Sequence, residues 1–439
     1  MASVLAPVPA APAASSSAAD PCSESDSAAP AASDSAAPAA SDSQFEDDLP
    51  AVSSIAECVQ FYWDSLTTKQ RCGLRKHAGS IWRVGTACSG TDSVVKVLEH
   101  LGRSSGWAFT HAFSCERDEA TQAWVQENFP DAPLIFPDIC ELHTGRALNV
   151  VTREVCNIPA VDVFVAGFVC KSVSTENAKR GSYSQCIADA RGQTGETFEG
   201  VLGYVRRFRP KLVICENVSG LLKRALGCDA QIHQVRKAFE EVGYAFAYKL
   251  VDARHFLVPQ RRTRVWMWAL RLDSAAAPAA GEVLTVLTAL ERPHPVPLSK
   301  FLKPAACNVR SRQTINDREE HLLDYVVQAN APLQCLRAEE LTDLVVDVAK
   351  SAHRAPWCLG ATPCVLPNSR LHWRRQQRVL AAHEVAALQG IWPRDFPALE
   401  SWCQSDTRSR VVADMAGNAF TSTVCVAVCL GVMVAISPC

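Results

Sequence analysis

Val161-Asp-Val-Phe-Val-Ala-Gly-Phe-Val-Cys170 is an apolar run that passes through a glycine and ends in a cysteine. Short aliphatic and aromatic runs bounded by glycine are typical of buried strands. A second run, Lys211-Leu-Val-Ile-Cys215, is followed directly by Glu216. We therefore predict two strands of one parallel sheet, each with a chemically active side chain at its carboxyl end, where open α/β sheets bind ligands.

Short apolar runs alternate with amphipathic segments on both sides of this stretch, which favours an α/β fold with a parallel sheet. A first helix is predicted over 93–101 and a later one over 382–389. The predicted strands are 81–87, 109–115, 134–136, 161–166, 212–215, 244–251 and 265–270.

Composition and charge divide the chain into a tail and a folded body. The 439 residues are 48% hydrophobic and 21% charged, which suits one large α/β domain with a smaller one. Residues 1–50 are rich in Ala, Pro and Ser, and they hold eight acids but no Lys or Arg. This segment is predicted to be a disordered tail. The remaining 44 bases and 38 acids make a mildly basic body, which suits a polyanionic partner.

The periodic pattern fades after residue 272 and returns near residue 378. We therefore expect the main domain to comprise residues 51–272 and 378–439, with a second, smaller domain over 273–377. The apolar stretch 419–436 has the length of a membrane anchor but lacks basic flanks, and a buried terminal helix is the favoured interpretation.

The nineteen cysteines mostly lie in apolar runs, where cysteine behaves as a small buried hydrophobe. No pair has CxxC spacing, so we expect reduced intracellular thiols and no metal site. The first residues show no charged start followed by an apolar core, so no signal peptide is expected.

A third string, Gln260-Arg-Arg-Thr-Arg264, completes a candidate site with Cys170 and Glu216. Each has an ordinary alternative: a packing cysteine, a capping or salt-bridged glutamate, and a solvated basic turn. Together, a thiol, a carboxylate beside an apolar wall and paired arginines form a plausible covalent site.

In this order the three strings resemble the motifs of the C5-cytosine methyltransferase family. Further segments match in family order: Ser89-Gly-Thr-Asp92, Glu116, Asp138, Ala190-Arg-Gly192, Arg378-Val-Leu-Ala-Ala-His-Glu384 with Leu388-Gln-Gly390, and Gly417-Asn-Ala-Phe420. The resemblance covers roughly residues 80–272 and 378–436. It implies a Rossmann-like sheet that binds S-adenosylmethionine, with residues 273–377 as a smaller target-recognition domain.

The resemblance also implies roles for individual residues. Cys170 would add to C6 of a cytosine flipped out of duplex DNA, Glu216 would bind and protonate N3, and Arg264, helped by Arg262, would hold the base carbonyl. The implied cofactor-binding residues are Cys88, Ser89, Gly90, Thr91, Asp92, Glu116, Arg117, Asp138, Ile139, Gly167, Asn418 and Ala419. A nuclear DNA (cytosine-5-)-methyltransferase, with a monomer as the default state, is the function expected.

Several positions depart from the family pattern. Val169 and Lys171 flank the cysteine where the family usually has proline and glutamine. In the cofactor loop, Asp92 replaces a second glycine and Cys88 replaces an aromatic residue. The last motif ends at Phe420 without its proline. Two alternatives therefore stay open. The first is a catalytically weakened relative that binds DNA or cofactor as a regulator. The second is an RNA cytosine-5 methyltransferase, although the Cys-Phe-Thr tripeptide of that branch is absent.

Overall fold

The computed structural model describes residues 49–437 apart from 132–133, 225–227, 274–279 and 303–313. The predicted disordered tail, 1–50, lies outside the described residues except for its last two positions. Asp42–Cys439 forms one compact unit.

A seven-stranded sheet organises this unit, in the order β3-β2-β1-β6-β7-β9-β8. Neighbours from β3 to β7 are parallel, and β9 runs antiparallel to both β7 and β8. The α/β fold predicted from the sequence is confirmed. The first nine strands are β1 Ile81–Ala87, β2 Ala108–Cys115, β3 Ile135–Phe136, β4 Arg146–Asn149, β5 Glu154–Asn157, β6 Val163–Ala166, β7 Leu212–Val218, β8 Tyr244–Asp252 and β9 Thr263–Arg271.

Helices cover both faces of this sheet because successive strand residues point to opposite sides. Val163 and Val165 of β6 face one hydrophobic core and Phe164 faces the other. The helices are α1 Ile55–Ser65, α2 Thr68–Lys76, α3 Ser93–Ser105, α4 Glu119–Asn128, α5 Gly192–Phe208, α6 Gln231–Glu241, α7 Glu282–Leu290, α8 Leu298–Phe301, α9 Asp317–Ala329, α10 Ala331–Gln334, α11 Ala382–Ala387, α12 Leu399–Gln404, α13 Asp406–Asn418 and α14 Ser422–Ala435. Short 3-10 turns lie at Ile139–Thr144, Arg180–Tyr183, Ser219–Leu222, Ala253–His255, Glu340–Asp343, Ala352–Arg354 and Arg374–Gln376.

Strand β7 is longer than the sequence predicted. Its pairing with β9 continues through Asn217 and Val218, so Glu216 lies inside the strand and not just beyond it. A hairpin formed by β4 and β5 was not predicted.

A second, antiparallel sheet of four strands has the order β11-β10-β12-β13. Its strands are β10 Leu344–Asp347, β11 Trp357–Leu359, β12 Leu371–Trp373 and β13 Arg378–Val379. Two elements lie on the other side of the expected boundaries at 273 and 377. Helix α7 packs in the main core with α14, and β13 belongs to the small sheet.

The apolar C-terminal stretch is a buried helix. Asp406–Ala435 is long and apolar enough to cross a membrane by length and composition, but 94% of its most apolar window is buried inside the protein. Every residue of α14 is buried, among residues of α3, α7 and the sheet. The prediction of a buried terminal helix is confirmed.

Candidate active site

The candidate catalytic residues converge at one edge of the main sheet. Strands β1, β2, β3, β6 and β7 are parallel, so their carboxyl ends share this edge, and the antiparallel β9 begins there. Cys170 follows β6, Glu216 is near the end of β7, and Arg264 is the second residue of β9.

The loop that carries Cys170 is held by hydroxyl and amide side chains of its neighbours. Val169 N donates to Thr197 Oγ1 (3.0 Å), and Ser172 N donates to Thr194 Oγ1 (3.0 Å), both on α5. From β7, Asn217 Nδ2 donates to Phe168 O (2.8 Å). These bonds fix the backbone on both sides of the thiol without the proline that the family usually has there.

Glu216 and Arg264 form an ion pair, with Arg264 Nε 3.3 Å from Glu216 Oε1 and each side chain little exposed. The strand register explains the contact. Arg264 pairs with Val218, two residues beyond Glu216, so the two side chains are diagonal neighbours on one face. Trp266, which pairs with Glu216, packs against Phe420 at a ring separation of 5.5 Å. The apolar wall expected beside the carboxylate is therefore formed by aromatic rings.

Burial and the charges of two arginines shift the pKa values of the Cys170 thiol and the Glu216 carboxyl group in opposite directions. Burial, with the Glu216 carboxylate, raises the pKa of the Cys170 thiol, and Arg264 and Arg262 oppose that rise. Burial also raises the pKa of Glu216, again against the two arginines. The adjacent Lys171 has an exposed side chain, and the cations that act on the thiol are the arginines of β9 and of the segment before it.

Arg262 is engaged away from the position expected for it. It is buried, NH1 donates to the carbonyls of Val365 (2.9 Å) and Gly417 (3.2 Å), and NH2 donates to Ala419 O (2.9 Å). These bonds engage both terminal nitrogens, so the geometry favours a bracing role for Arg262 over the predicted help in holding a base carbonyl. They tie the segment before β9 to residues 365 and 417–419.

Gln260 makes a second brace whose role the sequence did not reveal. Its Nε2 donates to Leu388 O (2.8 Å), and its Oε1 accepts from Val365 N (2.9 Å). Nothing in the local sequence identifies these partners, which are more than a hundred residues away. Its complete burial is the structural sign of this role.

The candidate cofactor residues lie along the same edge, nearer β1 to β3. Glu116, just after β2, accepts a hydrogen bond at Oε1 from Gly90 N (2.8 Å), and Ser89 Oγ lies 3.4 Å from the same atom. Burial and the nearby Asp92 raise the pKa of Glu116 to about 8. Its Oε2 accepts no hydrogen bond from the described residues, so one carboxylate oxygen is free for a ligand.

Asp92, which stands where the family has glycine, is part of a buried polar network. The residue has a φ of 53°, in the left-handed region that favours glycine. Its carboxylate accepts from the hydroxyls of Ser89 and Ser114 and lies 3.8 Å from His111 Nε2. The network stabilises a loop conformation that glycine would adopt freely, so the departure from the family pattern is locally compensated.

Asp138 lies at the end of β3 beside the same loop. Burial alone would raise the pKa of the Asp138 carboxyl group. Hydrogen bonds from Cys140 N and Arg117 outweigh that effect, so the pKa is lowered. Arg117 NH2 is 2.7 Å from Asp138 Oδ2. Burial raises the pKa of the Cys88 thiol, and Glu116 and Asp138 raise it further, so these groups are close together. Ile139 is buried next to them.

Tight packing brings together the segments that carry these two groups of residues. A Cβ at Gly167 would lie 2.5 Å from Cys88 O and 2.7 Å from Phe420 Cε1, and one at Gly90 would lie 3.3 Å from Ala419 Cα. Only glycine fits at Gly167. Asn418 has an exposed side chain, in contrast to the buried Ala419.

These residues fit an adenosyl cofactor in their donor and acceptor chemistry. The free oxygen of Glu116 suits a vicinal diol, and Thr91 Oγ1 and Ser93 Oγ are buried without a hydrogen-bond partner in the described part of the chain. Over that same part, no group of three or more His, Cys, Asp or Glu side chains is arranged to hold a metal ion.

Comparison with known proteins gives one family. The family model described as C-5 cytosine-specific DNA methylase matches residues 88–431. DMT5 of Cryptococcus neoformans, named a DNA (cytosine-5-)-methyltransferase, is 31% identical over 58% of this chain and 10% of its own length. The type II methyltransferase M.HhaI of Haemophilus parahaemolyticus is 30% identical over 37% of this chain and 42% of its own.

The match to the DMT5 proteins covers 10% of the length of the Cryptococcus neoformans protein and 19% of that from Verticillium dahliae. Among solved structures, the S. pombe Dnmt2 methyltransferase has a TM-score of 0.49 and 13% identity, over 81% of this chain and 98% of that chain.

Proposed function

This chain belongs to the C-5 cytosine-specific DNA methylase family, and from that premise we propose that it methylates C5 of cytosine in DNA through a covalent Cys170 adduct. The observation that carries the proposal is the group of Cys170, Glu216 and Arg264 at one buried edge of the sheet. The family uses S-adenosylmethionine, which supplies an electrophilic methyl group when bound.

Each residue of this group has a separate task. Cytosine C5 is a weak nucleophile, and addition of the Cys170 sulfur to C6 makes C5 electron-rich. Once C5 carries the methyl group, loss of the C5 proton to a base and release of the Cys170 thiolate from C6 restore the ring. Burial raises the pKa of Glu216, which favours the role of this carboxyl group as the proton donor to N3 while the sulfur adds. Arg264 donates to the base carbonyl and stabilises the negative charge of the attacking thiolate.

The cofactor would bind at the same carboxyl edge of the main sheet, near the ends of β1, β2 and β3. Glu116 would accept hydrogen bonds from the ribose hydroxyls, and Asp138 from the adenine amine. Gly90 and Gly167 let the loops after β1 and β6 pack closely against Ala419 and Phe420 beside these residues. The target base must leave the helix to reach Cys170, which implies base flipping.

We also propose that the small sheet with its connecting segments is the target-recognition domain. A DNA substrate favours the nucleus as the location.

Transfer of a labelled methyl group tests the proposal on three substrates: mixed-sequence duplex DNA, single-stranded DNA and tRNA. We expect incorporation into duplex DNA with the wild-type protein and none with Cys170→Ser. Incorporation into tRNA alone would make the protein an RNA enzyme. Binding of cofactor and DNA with no transfer to any substrate would make it a regulator.

A further inference from the structure

Residues 360–366 connect β11 to β12 in the small sheet and lie against the segment that precedes β9. Thr362 forms a parallel bridge with Gln260, and Arg261 N donates to Thr362 O (2.8 Å). Val365 N donates to the side chain of Gln260 (2.9 Å). These bonds flank position 364, so they hold this part of the connection beside the start of β9.

Cys364 is the residue of this connection that meets the arginines of the candidate site. Its Sγ accepts from Arg264 NH2 at 3.6 Å and from Arg262 NH1 at 3.7 Å. The thiol itself donates to Val365 O (3.6 Å), so the sulfur acts as an acceptor towards both guanidinium groups. One sulfur atom therefore joins the bracing arginine to the arginine of the candidate site.

The orientation of the Arg264 guanidinium depends on contacts at its three nitrogens. Nε lies 3.3 Å from Glu216 Oε1, NH1 donates to Thr263 O (2.9 Å), and NH2 donates to Cys364 Sγ. Thr263 is the preceding residue of the same strand and moves with Arg264. Within the described part of the chain, Glu216 and Cys364 are therefore the contacts that tie this side chain to other segments.

Protonation of Glu216 makes the contact with Cys364 important. The proposed reaction places a proton on this carboxyl group, and burial raises its pKa against the charges of Arg264 and Arg262. A protonated carboxyl group attracts a guanidinium less strongly than a carboxylate does. The contact with Cys364 does not depend on that proton, so it can hold Arg264 while Glu216 is neutral.

We propose that Cys364 is a positioning residue, which holds the Arg264 guanidinium where it stabilises the Cys170 thiolate. The proposal rests on the methyl transfer proposed above. Sulfur is a weak acceptor, so it directs NH2 without neutralising the cation as a carboxylate would. The positive charge therefore stays available to the nucleophile.

The two thiols share this one cation. Burial alone would lower the pKa of the Arg264 guanidinium. Cys364, Cys170 and the Glu216 carboxylate outweigh burial, so the pKa is raised. A change at Cys364 that displaces the guanidinium should therefore alter the ionisation of Cys170, which a role of Cys364 in packing alone would leave unchanged.

Alkylation by iodoacetamide measures the Cys170 thiolate directly, because only the thiolate displaces iodide. Mass spectrometry of the peptide that holds Cys170 gives the rate at each pH for the full chain, without cofactor or DNA. Cys364→Val keeps the side-chain volume but removes the acceptor, and it should move the rising limb by about half a pH unit or more to higher pH. Cys364→Ser retains an acceptor and should move it less. Cys335→Val, the matched change at an exposed cysteine, should leave it unchanged.

Trapping on DNA that carries 5-fluorocytosine then links positioning to the reaction. The rate of adduct formation should fall about tenfold in Cys364→Val, with S-adenosylmethionine affinity unchanged. An alkylation profile of Cys364→Val that matches wild type would overturn the proposal, and so would equal shifts in the valine and serine variants. No adduct with wild type would contradict the proposed methyl transfer instead, and the alkylation profiles would still decide the role of Cys364.

Discussion

Arg264 Nε lies 3.3 Å from Glu216 Oε1, across two antiparallel strands that meet at the carboxyl edge of the sheet. The same guanidinium opposes the rise in the pKa of Cys170. One cation therefore acts on the charge of both the nucleophile and the proton donor. A change at Arg264 is expected to disturb two steps of the reaction together.

Cys170 is expected to be the nucleophile, and a mechanism-based inhibitor can trap it. Fluorine at C5 cannot leave as a proton does, so 5-fluorocytosine DNA should stay attached to the protein when cofactor is present. Gel electrophoresis under denaturing conditions measures the adduct. It should disappear in Cys170→Ser and persist in Lys171→Gln, the matched change at the exposed neighbour. An adduct that survives in Cys170→Ser would exclude this thiol.

Glu216→Gln is expected to slow adduct formation by about 100-fold or more, the usual contribution of a positioned proton donor. In wild type, the rate should rise with pH as the thiol ionises and fall as Glu216 loses its proton. The variant should lose the falling limb only. Single-turnover rates across pH measure this, and an unchanged falling limb would assign it to another group.

Substitution of Arg262 should mainly lower stability, and substitution of Arg264 should mainly lower activity. Arg262→Met removes the donors to three carbonyls and should lower the free energy of unfolding by about 3 kcal/mol or more. Arg264→Met should change it by about 1 kcal/mol, because Glu216 can take up a proton, yet activity should fall at least 100-fold. Urea unfolding and methyl transfer measure the two. Equal loss of stability would contradict the division of roles.

At a pH above 8, where the Glu116 carboxyl group is ionised, Glu116→Ala is expected to weaken S-adenosylmethionine binding by about 1.5–3 kcal/mol, as for a hydrogen bond to a charged group. Calorimetry on the folded variant measures this change, and unchanged affinity would remove Glu116 from the cofactor site.

The same residue should make stability depend on pH. The pKa of Glu116 is about 8 in the fold against 4.5 in the unfolded chain. The folded state therefore binds more protons between these values, and stability falls as pH rises through that window. Glu116→Gln, which cannot ionise, should melt about 2 °C or more above wild type at pH 8 and no higher at pH 4.5. An equal difference at both pH values would count against the raised pKa.

The DNA sequence specificity is expected to be transferred when the small sheet is exchanged. The packing of α7 and β13 sets the boundaries of the segment to exchange. Exchange of 298–381 for the counterpart of a relative with known specificity should transfer that specificity. Exchange of 273–377 should give a less stable protein, because it replaces α7 and separates β13 from its sheet. Sequencing of methylated products and thermal unfolding test both. A preserved original preference would show that recognition lies elsewhere.

Short-range patterns account for what the sequence predicted. The buried runs before Cys170 and Glu216 are strands because apolar β-branched residues at these positions fill both cores. Parallel strands bring their carboxyl ends together, so the candidate catalytic residues converge as expected. The helical spacing of Val283, Val286, Leu287 and Leu290 was also present in the sequence, within a region taken to be irregular.

Long-range contacts account for what it did not predict. The roles of Arg262 and Gln260 depend on carbonyls and amides of segments 103 to 157 residues away, which no local pattern encodes. Asn217 directly follows Glu216 in the sequence, but its bond to Phe168 O could be seen only in the fold. The sequence did not predict the β4–β5 hairpin because its strands are short and its apolar Leu148 and Val155 are exposed.

The bonds from Arg262 to the carbonyls of Gly417 and Ala419 make the site depend on a segment that is translated late. A ribosome makes Cys170, Glu216 and Arg264 long before it makes residues 417–420. Until that late segment emerges, Gly90 and Gly167 lack the packing partners Ala419 and Phe420. A nascent chain therefore cannot complete this pocket before residues 417–420 have been made, and a premature stop codon before residue 417 would yield a protein with every reactive side chain and no closed site.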